Sequence, residues 1–157
     1  MKFKIEQLAI VPQHMTAAAM TLLNDMGMNI WTRDRVSADG YVFGGRGENE
    51  ANLSFNYHDL TENKSVLEFE VLEYVHGDNW MRGRDPSASH IGMHCSEIEL
   101  DSWKAFFNSR KIGTAQEVWT NGHTNPYLIE QRRHYHYCIF DTRRILGIDV
   151  KFIVRID

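Results

Sequence analysis

SHIGMHC, residues 89–95, followed after three residues by ELDSWKAFFNSRKIG, residues 99–113, is the stretch on which the fold turns. His90, Gly92 and His94 alternate with Ile91, Met93 and Cys95, the period-two pattern of a strand with one apolar face. Trp103, Phe106 and Phe107 then recur at helical spacing. Asp101 stands as an N-cap or first-turn acid and Gly113 follows the end, which predicts a helix over 101–109. If Ile91, Met93 and Cys95 pack on that helix, both histidines must face the opposite side.

The same order is written earlier in the chain. FKIEQLAIV, residues 3–11, reads as a strand, and Met15, Ala19, Leu22, Leu23 and Met26 recur at helical spacing ahead of Gly27, a C-terminal cap. That apolar stripe is expected to pack on a sheet. Strand candidates follow at 28–33, 41–43, 52–57 and 65–74, separated by the turns Ala38-Asp39-Gly40 and Gly47-Glu48-Asn49. In the last of them Leu67, Phe69 and Val71 alternate with Glu68, Glu70 and Leu72. Past residue 113, strands are predicted at 115–120, 134–141 and 148–156, with a loop over 121–131.

Strand-helix-strand-strand-strand is therefore written twice, aligning Gln7 with His90 and Glu70 with Lys151. Such a segment covers one sheet face with its helix and leaves the other bare, so two copies should pair around a hollow. The expectation is an α+β fold of two βαβββ modules, residues 1–82 and 83–157, joined near 82–87. They form a curved mixed sheet around a central cleft, with helices on the outside.

Composition narrows the function. The 157 residues are 43% hydrophobic and 24% charged, the balance of a packed globular chain. Seventeen Lys and Arg against 21 Asp and Glu leave a net charge of −4, which argues against nucleic acid as a partner. Two cysteines without C-x-x-C spacing, and a start without a signal-peptide apolar run, suit a reducing cytoplasm. No stretch approaches the roughly 18 apolar residues of a membrane helix, so no membrane partner is expected.

IEQLAIVP (5–12), VLEFEVLEY (66–74), SHIGMHC (89–95), ELDSWKAFFNSRKIG (99–113) and DTRRILGIDVKFI (141–153), in this order and spacing, resemble the vicinal oxygen chelate superfamily. This is the glyoxalase, extradiol dioxygenase and bleomycin-resistance group. The resemblance implies metal ligands from the first and last strand of each module: Gln7, Glu70 and His90, with Lys151 where a fourth ligand, usually Glu, would stand. Lys151 is the departure, because an ammonium has no lone pair and repels a cation. The metal so implied is Fe, Mn, Ni or Zn, polarising adjacent oxygens of a substrate.

Two functions are open at this point. One is a metal-dependent lyase, isomerase or dioxygenase acting on a small oxygen-rich molecule, with Glu68, Glu70 or His94 moving a proton. The other is a metal-free protein that binds or sequesters a small molecule without chemistry, as resistance proteins of the group do. In the second, Glu70 and Lys151 form a buried ion pair where the metal would sit, with His90 hydrogen-bonded to either.

In RHYHYCIF, residues 133–140, His134 and His136 alternate with Tyr135 and Tyr137, and the pattern does not say which pair faces the cleft. The histidines would add ligands or a base to the substrate pocket; the tyrosines would stack on a planar ligand. Trp31, Trp80, Trp119 and Tyr127 either rim the pocket or form satellite core. The loop 120–131 is long enough to close over a ligand. Gly44-Gly45-Arg46-Gly47 lacks the Lys-Ser/Thr tail of a phosphate cradle and reads as a turn. Exposed sheet edges make a homodimer an expectation.

Overall fold

The computed structural model describes residues 1–12, 15–28, 30–57, 67–76, 89–123 and 134–156. The first half runs β1 (Gln7–Ile10), α1 (Thr16–Asp25), β2 (Thr32–Val42), β3 (Gly45–Tyr57) and β4 (Glu68–His76). The second runs β5 (His90–His94), α2 (Glu97–Asn108), β6 (Thr114–His123), β7 (Tyr135–Phe140), a one-turn α3 (Arg143–Leu146) and β8 (Asp149–Arg155). The fold is α+β, as expected. The junction near residues 82–87 lies outside the described residues.

The sheet goes further than a curve and closes on itself, in the order β1-β4-β3-β2-β6-β7-β8-β5. Each half contributes four strands in the same order, with β1 parallel to β4 and β5 parallel to β8. Two antiparallel seams, β1 with β5 and β2 with β6, join the halves. Closure leaves no free lateral edge among these strands, so the edge-pairing reason for a homodimer falls away.

The alternation of residues 89–95 works out as read. Met93 packs in one cluster with Leu100, Trp103 and Phe107 of α2 and with Phe140, Val150, Phe152 and Val154 of the sheet, flanked by Ile91 and Cys95. Phe107 stacks on Phe140 at 4.2 Å between ring centres, and Trp103 lies 5.3 Å from Phe152. This is a dense aromatic layer, and it pins α2 to the outer face of its sheet.

Three expectations need correction. The second helix starts earlier than Asp101, because Ser96 caps it: its side chain accepts from the Glu99 backbone N–H, while Glu99 reaches back to the Ser96 N–H. The first helix forms where expected, but none of its residues is buried, and Met15, Leu22 and Met26 are more than half exposed. Its stripe meets the sheet only marginally. The predicted turns at 38–40 and 47–49 are interior to β2 and β3; the chain reverses at Phe43-Gly44, both with positive φ, 48° and 80°. Small residues at Ala38, Gly40 and Gly47 had imitated turn chemistry inside two long strands.

No helix among the described residues is long and apolar enough to cross a membrane.

Candidate functional site

The barrel interior is a cavity of about 230 Å³. Inward positions follow from the pleat: Thr32, Asp34 and Val36 on β2, Asn49 to Phe55 on β3, Glu68 to Tyr74 on β4, Tyr135 to Ile139 on β7, and Lys151 and Ile153 on β8 all line it at alternate residues. At one side the four module positions, Gln7, Glu70, His90 and Lys151, come together.

Gln7 is the link between the modules. Its Nε2 donates to Glu68, and its Oε1 lies 3.3 Å from His90 Nε2. A carboxamide oxygen only accepts, so His90 Nε2 carries the proton in this contact. Gly92 makes the approach feasible: a Cβ there would sit 3.0 Å from Gln7 Oε1 and 3.1 Å from Gln7 Cβ. The glycine in HIGMH thus has a packing reason. His90 Nε2 is also 3.8 Å from Glu70 Oε2, with both side chains almost wholly buried.

Lys151 places its ammonium 4.0 Å from Glu70 Oε2 and 4.5 Å from the centre of the Tyr137 ring. The amine is therefore held by a carboxylate and by an aromatic face. Burial pushes the Glu70 carboxyl up from its ordinary value, Lys151 pulls it back in part, and Glu68 adds to the rise. Burial also drives the Tyr137 phenol well above its usual range, helped by the carboxylate of Glu70. Burial raises both thiols, Cys138 to about 12 and Cys95 to about 11.

These donors do not fit a divalent cation. Among the described residues no three His, Cys, Asp or Glu side chains converge as a metal-holding group. The His90 nitrogen nearest the cluster is engaged as a donor to Gln7, and the fourth position presents a positive charge 4.0 Å from the carboxylate. A metal would have to displace both.

The other predicted residues are distributed as follows. Glu68 and His94 line the cavity beside Gln7 and Ile153, His94 at the exposed rim, where its Nδ1 is 3.3 Å from Glu6. His136 points outward. It is wedged between Glu97 at 3.0 Å and Glu117 at 2.9 Å and stacks on Trp119 at 4.4 Å. His134 precedes β7 and is not among the cavity-lining residues. The question left by RHYHYCIF resolves to the tyrosines: Tyr135 and Tyr137 line the cavity and stack at 5.6 Å. The reason is register, since Tyr137 lies across from Ile153 and Val118, both inward, while His136 lies across from Val154 on the helix side.

Trp31 donates to Asn24 of α1 and packs near Phe69, so it is satellite core, as is Trp119. Trp80, Tyr127 and residues 124–131 of the predicted loop lie outside the described residues; residues up to 123 continue β6. Asp34, Asn49, Phe55 and Gln116 line the cavity without having been singled out. Alternation with Ala51, Leu53 and Phe55 would have found Asn49, had its segment not read as a turn.

A closed barrel of two four-stranded modules, with a polar cluster where their first strands meet, is the fold that the sequence resemblance to the vicinal oxygen chelate superfamily implies. A hypothetical protein from Bacillus halodurans C-125 shares this fold, with a TM-score of 0.50 and 9% identity over 98% of this chain and 95% of that one. Methylmalonyl-CoA epimerase from Mycobacterium tuberculosis gives 0.47 and 9% over 96% and 87%. The Streptomyces coelicolor epimerase in complex with 2-nitronate-propionyl-CoA gives 0.46 and 9% over 96% and 93%. At such identity the likeness is one of fold. No sequence-family model matches the chain, and no curated protein matches it.

Proposed function

We propose that the barrel is a metal-free receptor for one small, oxygen-rich molecule, with the Lys151 ammonium taking the place a metal cation has in the resembled superfamily. The observation that carries this is the position of Lys151, 4.0 Å from Glu70 and over the Tyr137 ring, within the cavity wall. An ammonium there neutralises Glu70 and offers N–H donors to ligand oxygens. Tyr135, Tyr137 and Phe55 supply flat apolar surface beside it. A volume of about 230 Å³ lies below the roughly 300–1,000 Å³ of drug-sized pockets, so the ligand is small.

The test is elemental analysis of the purified protein and calorimetry with Mn, Fe, Ni and Zn salts, on wild type and Lys151→Glu. A wild type that takes up no divalent ion, and a variant that does, supports the reading. Stoichiometric metal on the wild type, held through Glu70 and His90, would sink it.

A second reading is favoured by the raised Glu70 carboxyl, which stands closer to neutrality than a solvated Glu and suits proton transfer. In that case Glu70, with Glu68 and His94 nearby, exchanges a proton on an acidic C–H of the bound molecule. Deuterium incorporation into the ligand in heavy water, lost in Glu70→Gln, measures it.

A further inference from the structure

His136 is buried on the outer face of the barrel, and its two ring nitrogens meet two different carboxylates. Nδ1 lies 3.0 and 3.2 Å from the two oxygens of Glu97, the first residue of α2, and Nε2 lies 2.9 Å from Glu117 Oε1 on β6. The Trp119 ring, stacked on the imidazole at 4.4 Å, holds its plane. A carboxylate only accepts, so both contacts are hydrogen bonds only while both nitrogens carry a proton. A neutral imidazole has one N–H, and its bare nitrogen would then confront a carboxylate lone pair. One of the two contacts must break when a proton leaves.

Exposure and partners decide which. Glu117 Oε1 also accepts from Lys104, and the Glu117 side chain is 20% exposed. The Glu97 side chain is 49% exposed, and among the described residues only His136 holds its carboxylate. Glu97 is therefore the partner that turns into water, and Glu117 stays. The remaining groups around the ring are Asp101, one turn on from Glu97 and acting on Lys104, and the thiols of Cys138 and Cys95, neutral because burial raises both. On β8, Val154 stands across from His136, and Arg155 alternates to the side of Ile153. His134 precedes His136 by two residues, on the same side of the chain by alternation.

The clamp matters because little else ties down the start of α2. Residues 96–99 are all exposed, and the first buried residue of the helix is Leu100. His94, two residues before the Ser96 cap, lines the cavity at its rim, and Tyr135 and Tyr137 on either side of His136 line its wall. The outer contact thus joins the β5–α2 junction to the strand that carries the two tyrosines.

We propose that Glu97–His136–Glu117 is a pH-operated latch on the cavity wall. With both ring protons present it ties the start of α2 to β6 and β7; loss of one releases Glu97 and loosens the wall at His94 and Tyr135. The latch is closed on the acid side of the His136 titration and open on the alkaline side. It goes beyond the receptor reading and does not depend on the ligand.

Nuclear magnetic resonance of the full chain labelled with nitrogen-15, from about pH 5 to about pH 9, spans histidine titration and tests it. On the acid side both His136 nitrogens should read as protonated; on the alkaline side only Nε2, its bond to Glu117 being kept. The Leu100 amide donates to the Ser96 carbonyl. Its protection, relative to free-peptide exchange at each pH, should fall roughly 10-fold across the His136 midpoint. The ring signals of Tyr135 and Tyr137 should move with it. In Glu97→Gln, a change at an exposed position, the carboxamide can donate to the bare Nδ1, so Leu100 should stay protected on the alkaline side. A proton kept on Nδ1 instead of Nε2, Leu100 protection that ignores the His136 midpoint, or an equal fall in Glu97→Gln would each overturn the latch. Tyrosine signals that stay still while Leu100 loses protection would overturn its link to the cavity.

Discussion

His90 Nε2 stands 3.3 Å from Gln7 Oε1, although 83 residues separate the two in the chain. They come from the first strands of the two modules, which pair antiparallel with Ala9 across from His90 and Gln7 across from Gly92. This contact closes one seam of the barrel around the polar cluster. It also sets the histidine's donor nitrogen, and so decides what the cluster can hold.

Gly92→Ala tests the closeness of that seam. A methyl 3.0 Å from Gln7 Oε1 must push the carboxamide off His90 or shift β1. The expected cost is about 1–3 kcal/mol, read by urea unfolding, together with a displaced His90 ring signal in nuclear magnetic resonance. An unperturbed His90 ring would show that the glycine has no such role.

The buried charges at Lys151 and Glu70 depend on each other. Lys151→Met strands Glu70 in a site where burial already raises its carboxyl, so about 3–5 kcal/mol should be lost at neutral pH. Adding Glu70→Gln should recover most of it. The sign with pH is definite: a carboxyl raised in the folded state above its unfolded value is bound to its proton more readily when folded, so acidification favours the fold. The Lys151→Met penalty should therefore shrink as pH falls towards the unfolded Glu value of 4.5. A pH-independent penalty would mean that the pair is not coupled.

Glu117 behaves in the opposite sense. The hydrogen bond from His136 foremost, and then the contact with Lys104, holds its carboxyl down at about 2 against an ordinary 4.5. The unfolded chain thus takes up this proton first as pH falls. Stability from this network is present above about 4.5 and lost between there and about 2. Glu117→Gln should flatten the acid limb of a pH–stability curve in that window. An unchanged acid limb would show that the network contributes nothing.

The two helices should differ sharply in sensitivity. Trp103→Ala in α2 opens the aromatic layer and should cost about 3–5 kcal/mol. Leu22→Glu in α1 changes a side chain that is 61% exposed and should stay within about 0.5 kcal/mol. Removing the cap with Ser96→Ala should cost about 1 kcal/mol. Chemical unfolding of the three variants measures all of this, and a large loss in Leu22→Glu would show that α1 is covered by a surface of its own.

Much of this architecture is legible in the chain, because periodicity reports a face and duplication reports a partner. The alternation in SHIGMHC put His90 on the inner side, and the repeat put Gln7 opposite it; both are local patterns with a period of two. The repeat aligned Lys151 with Glu70, and the family resemblance then marked Lys151 as out of place for a metal ligand.

Other features depend on distances that no local pattern carries. Whether tyrosines or histidines of β7 face inward depends on its register with β6 and β8, and a one-residue slip would exchange them. The amphipathic spacing of α1 says that a face is apolar but not that anything covers it, and the sheet barely does. The long strands β2 and β3 were obscured by glycines that serve close packing, not reversal, with a Cβ at Gly40 meeting the Glu117 carbonyl at 2.2 Å. The clamp of His136 between Glu97 and Glu117 became visible only in the folded chain, since α2, β6 and β7 bring its three members together and no pattern of neighbours in sequence reports it.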